Sequence, residues 1–376
     1  MELQIYILFF CIPVILFSWI LPERWQLYPS VFAAGIFLSV FAPESLCILL
    51  LTTLATYYTL KYSNNITAAV ISICIIIFSI FLYFKLGYGK SILMERLLPL
   101  GISYYSFRQI HYAIEMYKRK IPAHTFKEFL MYLFFLPSFL IGPIHRFPEF
   151  LKDIKRRRWD AALFSEGLER ILYGFAKVII LGNYLMTDRG EALIAWLEFE
   201  NYKWLATYAD TILFTVNAYV QFAGFSDIAI GLSLLLGFRI MENFNAPFLA
   251  TNISDFWQRW HISLSTWCRD YVYYPFYSIT RNPYIGVLFS MVLLGLWHSI
   301  SWNYMLWALA HVIAINVWHY YNHSFIQQKI HLYIISPKWV GRFITFHFVV
   351  FSFILVNDSD MNHVIQTYKK ILCLDV

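Results

Sequence analysis

Charge is what this chain has least of. Only 14% of its 376 residues are Asp, Glu, Lys or Arg, against about 25% in soluble domains, which argues against an ordinary water-soluble fold. Cysteine is sparse as well. Cys11, Cys47, Cys74, Cys268 and Cys373 are scattered without a C-x-x-C pair, so neither a disulfide framework nor a zinc site is indicated. There is no long hydrophilic insert, low-complexity linker or internal repeat, and one integral domain over 1–376 is expected. A P-loop, a G-x-S-x-G elbow and a dinucleotide fingerprint are also missing. No metal or bound cofactor is therefore expected, and any chemistry has to run on histidine without an obvious protein nucleophile.

What is there is oil: 59% hydrophobic residues and 20% aromatic ones. A helix needs roughly 20 apolar residues to cross the hydrocarbon core. Residues 3–21, 44–60, 66–84, 204–223 and 303–320 read as the clearest spans, with shorter or interrupted runs at 28–42, 97–116, 166–185, 226–237, 283–297 and 341–356. The fold expected is all-α and polytopic, with about ten spans. The first run carries Glu2 where a signal peptide carries positive charge, and Pro22, Glu23 and Arg24 follow it instead of a small-residue cleavage site. It is expected to stay as a span.

The net charge of +6 does not point to nucleic acid, because the basic residues sit at the ends of apolar runs. Arg146, Lys152, Lys155, Arg156, Arg157 and Arg158 form a loop that reads as cytoplasmic. The 186–203 loop, with Asp188, Glu191, Glu198 and Glu200 against Arg189 and Lys203, is expected on the outer side. A second basic cluster, Lys118, Arg119, Lys120 and Lys127, precedes the run 129–143. Those 15 residues would extend roughly 22 Å as a helix, too short to span. Pro137, Gly142 and Pro143 break the run further. It reads as a re-entrant segment, the other reading being one interrupted span.

Polar residues inside apolar surroundings are the candidates for function. In "DFWQRWHISLSTW", 255–267, Asn252 is expected to cap a helix, with Asp255 three positions on and paired to Arg259 on one face. Trp257, Trp260, His261, Leu264 and Trp267 fall at helical spacing on the other side. His261 thus points with the tryptophans, where a histidine is more often a core residue than a catalyst. In "YIGVLFSMVLLGLWHSISWN", 14 residues from Tyr284 to Trp297 precede His298 without a charge. They cover roughly 21 Å, less than the roughly 30 Å core, which sets His298 at membrane depth. Ionisable groups there usually mark a pathway, a relay or a reaction centre; the bland reading is a histidine hydrogen-bonded between helices. Arg108, His111 and Glu115 share a helix face and read as an ion-paired contact. Asp227, with Ser226, reads as an N-cap opening the run 226–237. His311 and His319 read as structural or interfacial. Composition and periodicity stop at a polytopic membrane protein with a buried histidine pair.

The block "GFSDIAIGLSLLLGFRIMENFNAPFLATNISDFWQRWHISLSTWCRDYVYYP", followed by "LLGLWHSISWNYMLWALAH", resembles the bacterial membrane-bound O-acyltransferase family, in its alginate O-acetylation type. "LPLGISYYSFRQIHYAIEMYK" and "GPIHRFPEFLKDIKR" fit the same pattern upstream, so the likeness covers about 97–320. It implies a ring of helices, with re-entrant segments, around a central tunnel. It also implies an acyl donor arriving from the cytoplasm and an acceptor reached from the other face.

The family's two characteristic histidines map onto His261 and His298. Asp255, Arg259, Trp297 and Asn303 are expected to support them. The family's usual glycine after the second histidine is Ser299 here. The 78 residues after His298 make a tail closer to that of the teichoic acid D-alanyl transferases. Acyl transfer from a thioester to a hydroxyl needs a base and a stabilised oxyanion. The base role is assigned to His298 and the positioning or polarising of the acyl carbonyl to His261. The donor expected is acetyl-CoA or an acyl-carrier-protein thioester. Partners expected are membrane lipid and an extracytoplasmic acyltransferase or glycan, in the cytoplasmic (inner) membrane. A transporter and an envelope scaffold are the rival classes; no matching halves with interrupted helices support the first, and the second does not require histidines at membrane depth.

Overall fold

The computed structural model describes residues 2–87, 101–139, 141–322 and 337–374. Helices and the connections between them make up these residues, with no strand among them. The first four residues of the run expected at 97–116 lie outside the described residues. The chain folds as two compact units, residues 1–173 with 225–241 and residues 174–224 with 242–376.

Ile66–Lys85, Lys203–Leu235 and Lys338–Asn357 are long and apolar enough to cross a membrane, and Leu8–Ile20 and Pro283–His298 are shorter apolar helices. Their outward faces are oily. Ile71, Ile75 and Ile76 lie exposed on the first of these, and Phe343 and Ile344 on the third. Water would penalise such continuous apolar surface, whereas lipid does not.

Two boundaries differ from those expected. Residues 204–223 and 226–237 are not separate runs: one helix of 33 residues, Lys203–Leu235, passes through both. Asp227 is no N-cap. It is buried in the helix interior and paired with Arg170 at 2.8 Å, and that ion pair removes the need for a break. The acidic segment 186–203 is likewise mostly helical. A π-helical stretch Ala176–Asp188 runs into the helix Arg189–Phe199, and the turn comes only at Glu200–Tyr202, where Asn201 takes φ +66°.

In the first unit the helix Ala161–Phe175 lies against residues 225–235 through glycine. A Cβ on Gly231 would stand 2.6 Å from the Gly167 carbonyl oxygen, so only hydrogen fits at this approach of two backbones. The interrupted segment before Arg146 consists of the helix Phe126–Leu133, a 3₁₀ turn Leu136–Ser138 and extended chain leading into the amphipathic helix Phe147–Arg156. Phe134, Phe135, Leu136 and Phe139 are fully buried, so the carbonyls of this irregular chain need partners from protein. The helix Ile102–Tyr117 supplies them. Arg108 donates to the carbonyl oxygen of Ser138, to its hydroxyl at 2.8 Å and to the Tyr132 carbonyl at 3.4 Å. His111 Nε2 accepts from the Phe147 N–H at 3.0 Å. Glu115 pairs with Lys118 at 3.2 Å. The three polar residues expected to form one ion-paired contact therefore have three separate tasks.

Candidate active site

Both candidate histidines belong to the second unit. The chain approaches His261 through the short helix Ile253–Arg259, which starts as expected: the Asn252 side chain accepts from Asp255 N–H at 2.8 Å. Asp255 Oδ1 accepts from Arg259 Nε at 2.6 Å, and its Oδ2 accepts from Thr251 N–H at 3.0 Å. This ties both ends of a seven-residue helix to one carboxylate.

The helix does not continue through the motif. It ends at Arg259, His261 takes a left-handed conformation (φ +43°, ψ +54°), and a second helix, Ile262–Cys268, begins. Histidine is among the residues that tolerate this region, at a cost that surrounding contacts must offset. They come from residues 243–245: Asn245 N–H donates to the Arg259 carbonyl at 3.0 Å, and Ile262 N–H to the Asn243 carbonyl at 2.8 Å. The uniform helical spacing expected for Trp257 to Trp267 is thus broken at His261, and the break turns its ring away from the helix face.

That ring is 3% exposed. Its Nδ1 lies 3.0 Å from Asn243 Oδ1, which also receives the Ser263 hydroxyl at 2.9 Å and the Ser263 N–H at 3.4 Å. Nε2 is buried with no hydrogen-bond partner among the described residues. Around it stand the ring of Phe222, edge-on at 4.8 Å, and those of Trp297 at 6.1 Å and Phe244 at 6.5 Å.

His298 is the last residue of the helix Pro283–His298; Ser299 caps it, donating to the Gly295 carbonyl at 3.0 Å. Its ring stacks on Tyr304 (5.4 Å, 16° between planes) and meets Trp307 edge-on at 5.8 Å. Unlike His261 it is exposed, so the expected buried pair is one buried and one open histidine. Trp297 joins them, its ring 6.1 Å from that of His261 and 4.4 Å from that of His298. The two imidazoles, 37 positions apart in sequence, line one aromatic wall.

The remaining sequence candidates separate by their partners. Trp257 Nε1–H donates to His311 Nδ1 at 3.2 Å, while His311 Nε2 meets Ser352 Oγ at 3.1 Å. Both nitrogens are occupied and the residue is fully buried, the structural role expected of it. Asn303, next to the Tyr304 that stacks on His298, donates its side chain to the Asp358 carbonyl at 2.6 Å at the start of the helix Trp302–Asn322. Asp255 and Arg259 hold the approach helix and do not touch either imidazole through any hydrogen bond described above. Nearby is a cavity of about 290 Å³, lined by Trp257, Gln258, Thr266, Arg269, Met291 and Leu294 among others. Neither histidine lines it.

A family model for membrane-bound O-acyltransferases matches residues 24–356. The chain belongs to the membrane-bound O-acyltransferase family. Among curated relatives, the probable alginate O-acetylase AlgI of Pseudomonas aeruginosa is 36% identical over 229 residues, covering 60% of this chain and 43% of that protein. The teichoic acid D-alanyltransferase of Bacillus subtilis is 30% identical over 285 residues, 70% of both chains. The peptidoglycan O-acetyltransferase of Helicobacter pylori is 25% identical over 321 residues, 75% of this chain and 58% of the relative. The chain spans under half the length of the alginate O-acetylase it matches.

Within this member of the family, sequence reasoning missed Asn243. Its signal was present in "MENFNAPF", where two asparagines flank a phenylalanine in an otherwise apolar connection. Nothing local says which backbone or side chain they serve.

Proposed function

We propose that this chain transfers an acetyl group from a thioester donor on the cytoplasmic side to a hydroxyl of an envelope polysaccharide or of a partner protein. The observation that carries this is the wall on which an open His298 and an enclosed His261 share Trp297. The acceptor oxygen bonds to the thioester carbonyl carbon while its proton passes to His298. Collapse of the tetrahedral adduct breaks the carbon–sulfur bond, and the His298 imidazolium returns the proton to sulfur, leaving an ester and a free thiol. Imidazole, with an ordinary pKa of about 6.5, suits both transfers near neutrality. His261 holds the reacting groups in place, with Asp255 and Arg259 steadying its approach helix.

The reading includes a multi-pass topology in the cytoplasmic membrane and the ring of about ten spans around a tunnel that the resemblance implies. It also includes acetyl-CoA or an acyl-carrier protein as donor, meeting the basic 146–158 segment, and an extracytoplasmic partner that completes delivery. Family membership favours it over the transporter and scaffold readings. A second acyl group has specific support: the D-alanyltransferase aligns over 70% of its own length, the alginate O-acetylase over 43%.

The test is reconstitution in lipid nanodiscs with acetyl-CoA, acetyl-carrier protein and D-alanyl-carrier protein in turn. Thiol release is followed together with mass spectrometry of envelope glycans from cells with and without the gene. Thiol release with any of them, and loss of the matching ester in the deletion, is the expected result. Silence with all three donors and an unchanged glycan profile refutes the reading.

A further inference from the structure

His261 and His311 are both buried imidazoles, and their partners assign their protons differently. An indole N–H can only donate, so His311 Nδ1 must accept from Trp257, and its proton sits on Nε2 facing Ser352. At His261 the logic reverses. The backbone N–H of Ser263 points at the same Asn243 side-chain atom as His261 Nδ1 does, 3.4 Å away, and the Ser263 hydroxyl reaches it at 2.9 Å. A backbone N–H can only donate, which makes that atom the carbonyl oxygen. An oxygen that only accepts requires a proton on His261 Nδ1.

We propose that Asn243 is a positioning residue that locks His261 as its Nδ1–H tautomer, so that Nε2 presents a lone pair to the acceptor hydroxyl. This rests on the acyl-transfer reading above. It changes the task expected of His261. A neutral imidazole protonated on Nδ1 cannot donate from Nε2, so it cannot polarise the acyl carbonyl. It can only receive a hydrogen bond, which the incoming hydroxyl offers while it is bound and being positioned, before its single proton turns to His298 as the carbonyl is attacked. The Nε2 atom is buried and without a partner among the described residues, a costly state that a substrate O–H would relieve.

The lock is rigid for reasons already described. The Asn243 carbonyl accepts from Ile262 N–H, the Asn245 N–H two residues on donates to the Arg259 carbonyl, and the rings of Phe222 and Trp297 pack against the His261 ring. Among the rings packed on His261, those of Phe222, Phe244 and Trp297 do not titrate. The titratable group whose charge acts on it is His298.

Three proteins in nanodiscs test this: the parent, Asn243→Leu and Asn243→Asp, each checked for monodispersity and thermal midpoint, then assayed for kcat, KM and pH dependence with the donor the parent accepts. Losing the group that sets a catalytic histidine's tautomer costs about 10⁴-fold in a Ser-His-Asp triad. The leucine variant is expected to lose at least about 10-fold in kcat, with the donor KM within about twofold. The aspartate variant keeps an accepting oxygen and is expected to recover most of that loss. Its acid limb should move to higher pH, because a carboxylate beside Nδ1–H favours the imidazolium.

A leucine variant that folds and keeps kcat within about twofold of the parent overturns the proposal. So does an aspartate variant with an unmoved acid limb, including the case in which the leucine variant fails to fold. A purely structural asparagine would lower the thermal midpoint and leave the limb in place. Absence of transfer by the parent refutes the functional reading itself, whereas a transferring parent with an indifferent Asn243 refutes this inference alone.

Discussion

Replacing His298 by alanine and by glutamine separates chemistry from packing, and the structure sets the size of each effect. In the folded protein the alanine variant loses a stacked contact with Tyr304 and an edge contact with Trp307, each aromatic pair contributing about 0.5–1.5 kcal/mol. The ring is exposed at the end of its helix, so its loss truncates a surface side chain rather than the core. The total, about 1–3 kcal/mol, is small beside the roughly 5–15 kcal/mol of a typical domain, and both variants should express and insert.

The chemical effect is larger. General-base assistance contributes about 10²–10⁴-fold, which at about 1.36 kcal/mol per tenfold is about 3–5 kcal/mol of barrier. Glutamine offers a hydrogen-bonding amide of similar reach but does not take a proton in this pH range. It should therefore be as inactive as alanine. The assay is thiol release from the donor by protein in nanodiscs, with envelope ester content measured in cells carrying each variant. A glutamine variant within about tenfold of the parent's turnover would refute the reasoning, since no base of that strength would then act at this position.

Three further outcomes follow from particular contacts. Asp255→Ala removes the acceptor for both Arg259 Nε and Thr251 N–H; it should cost about 1–3 kcal/mol and lower the thermal midpoint, and an unchanged midpoint would mean the approach helix does not depend on this carboxylate. Gly231→Ala forces a methyl to 2.6 Å from the Gly167 carbonyl, so a loss of about 1–3 kcal/mol is expected, read as the midpoint of detergent-solubilised protein; a neutral result would show that the two helices part freely. Single cysteines at Lys155 and Glu198, both exposed, should react with an impermeant maleimide from opposite sides of the membrane, and labelling of both from one side would overturn the orientation read from charge.

Several features of the site were legible without coordinates because they are local. The Asn252 cap and the Asp255–Arg259 pair depend on residues three and four apart, a distance that helical geometry converts directly into contact. The apolar helix that leads to His298 followed from an uninterrupted apolar run closed by a polar group. The irregular backbone before Arg146 followed from Pro137, Gly142 and Pro143. Family membership followed from a long ordered block that includes both histidines.

The helical, membrane-bound character of the chain, its family and its two candidate histidines could therefore be read from the residues alone. Only the tertiary structure decided how those histidines are presented. Periodicity placed His261 on a continuous helix face, yet the chain turns left-handed there, because carbonyls and amides of residues 243–245 bind the break from outside. Arg108 was assigned to an acid on its own helix, yet it serves carbonyls about 30 positions away. Asp227 was read as a cap, yet Arg170 draws it into the middle of a 33-residue helix. In each case the partner lies more than a dozen residues distant. Hydrophobic pattern encodes which face a side chain occupies, whereas the acceptor waiting for its proton is set by what the fold brings to that face.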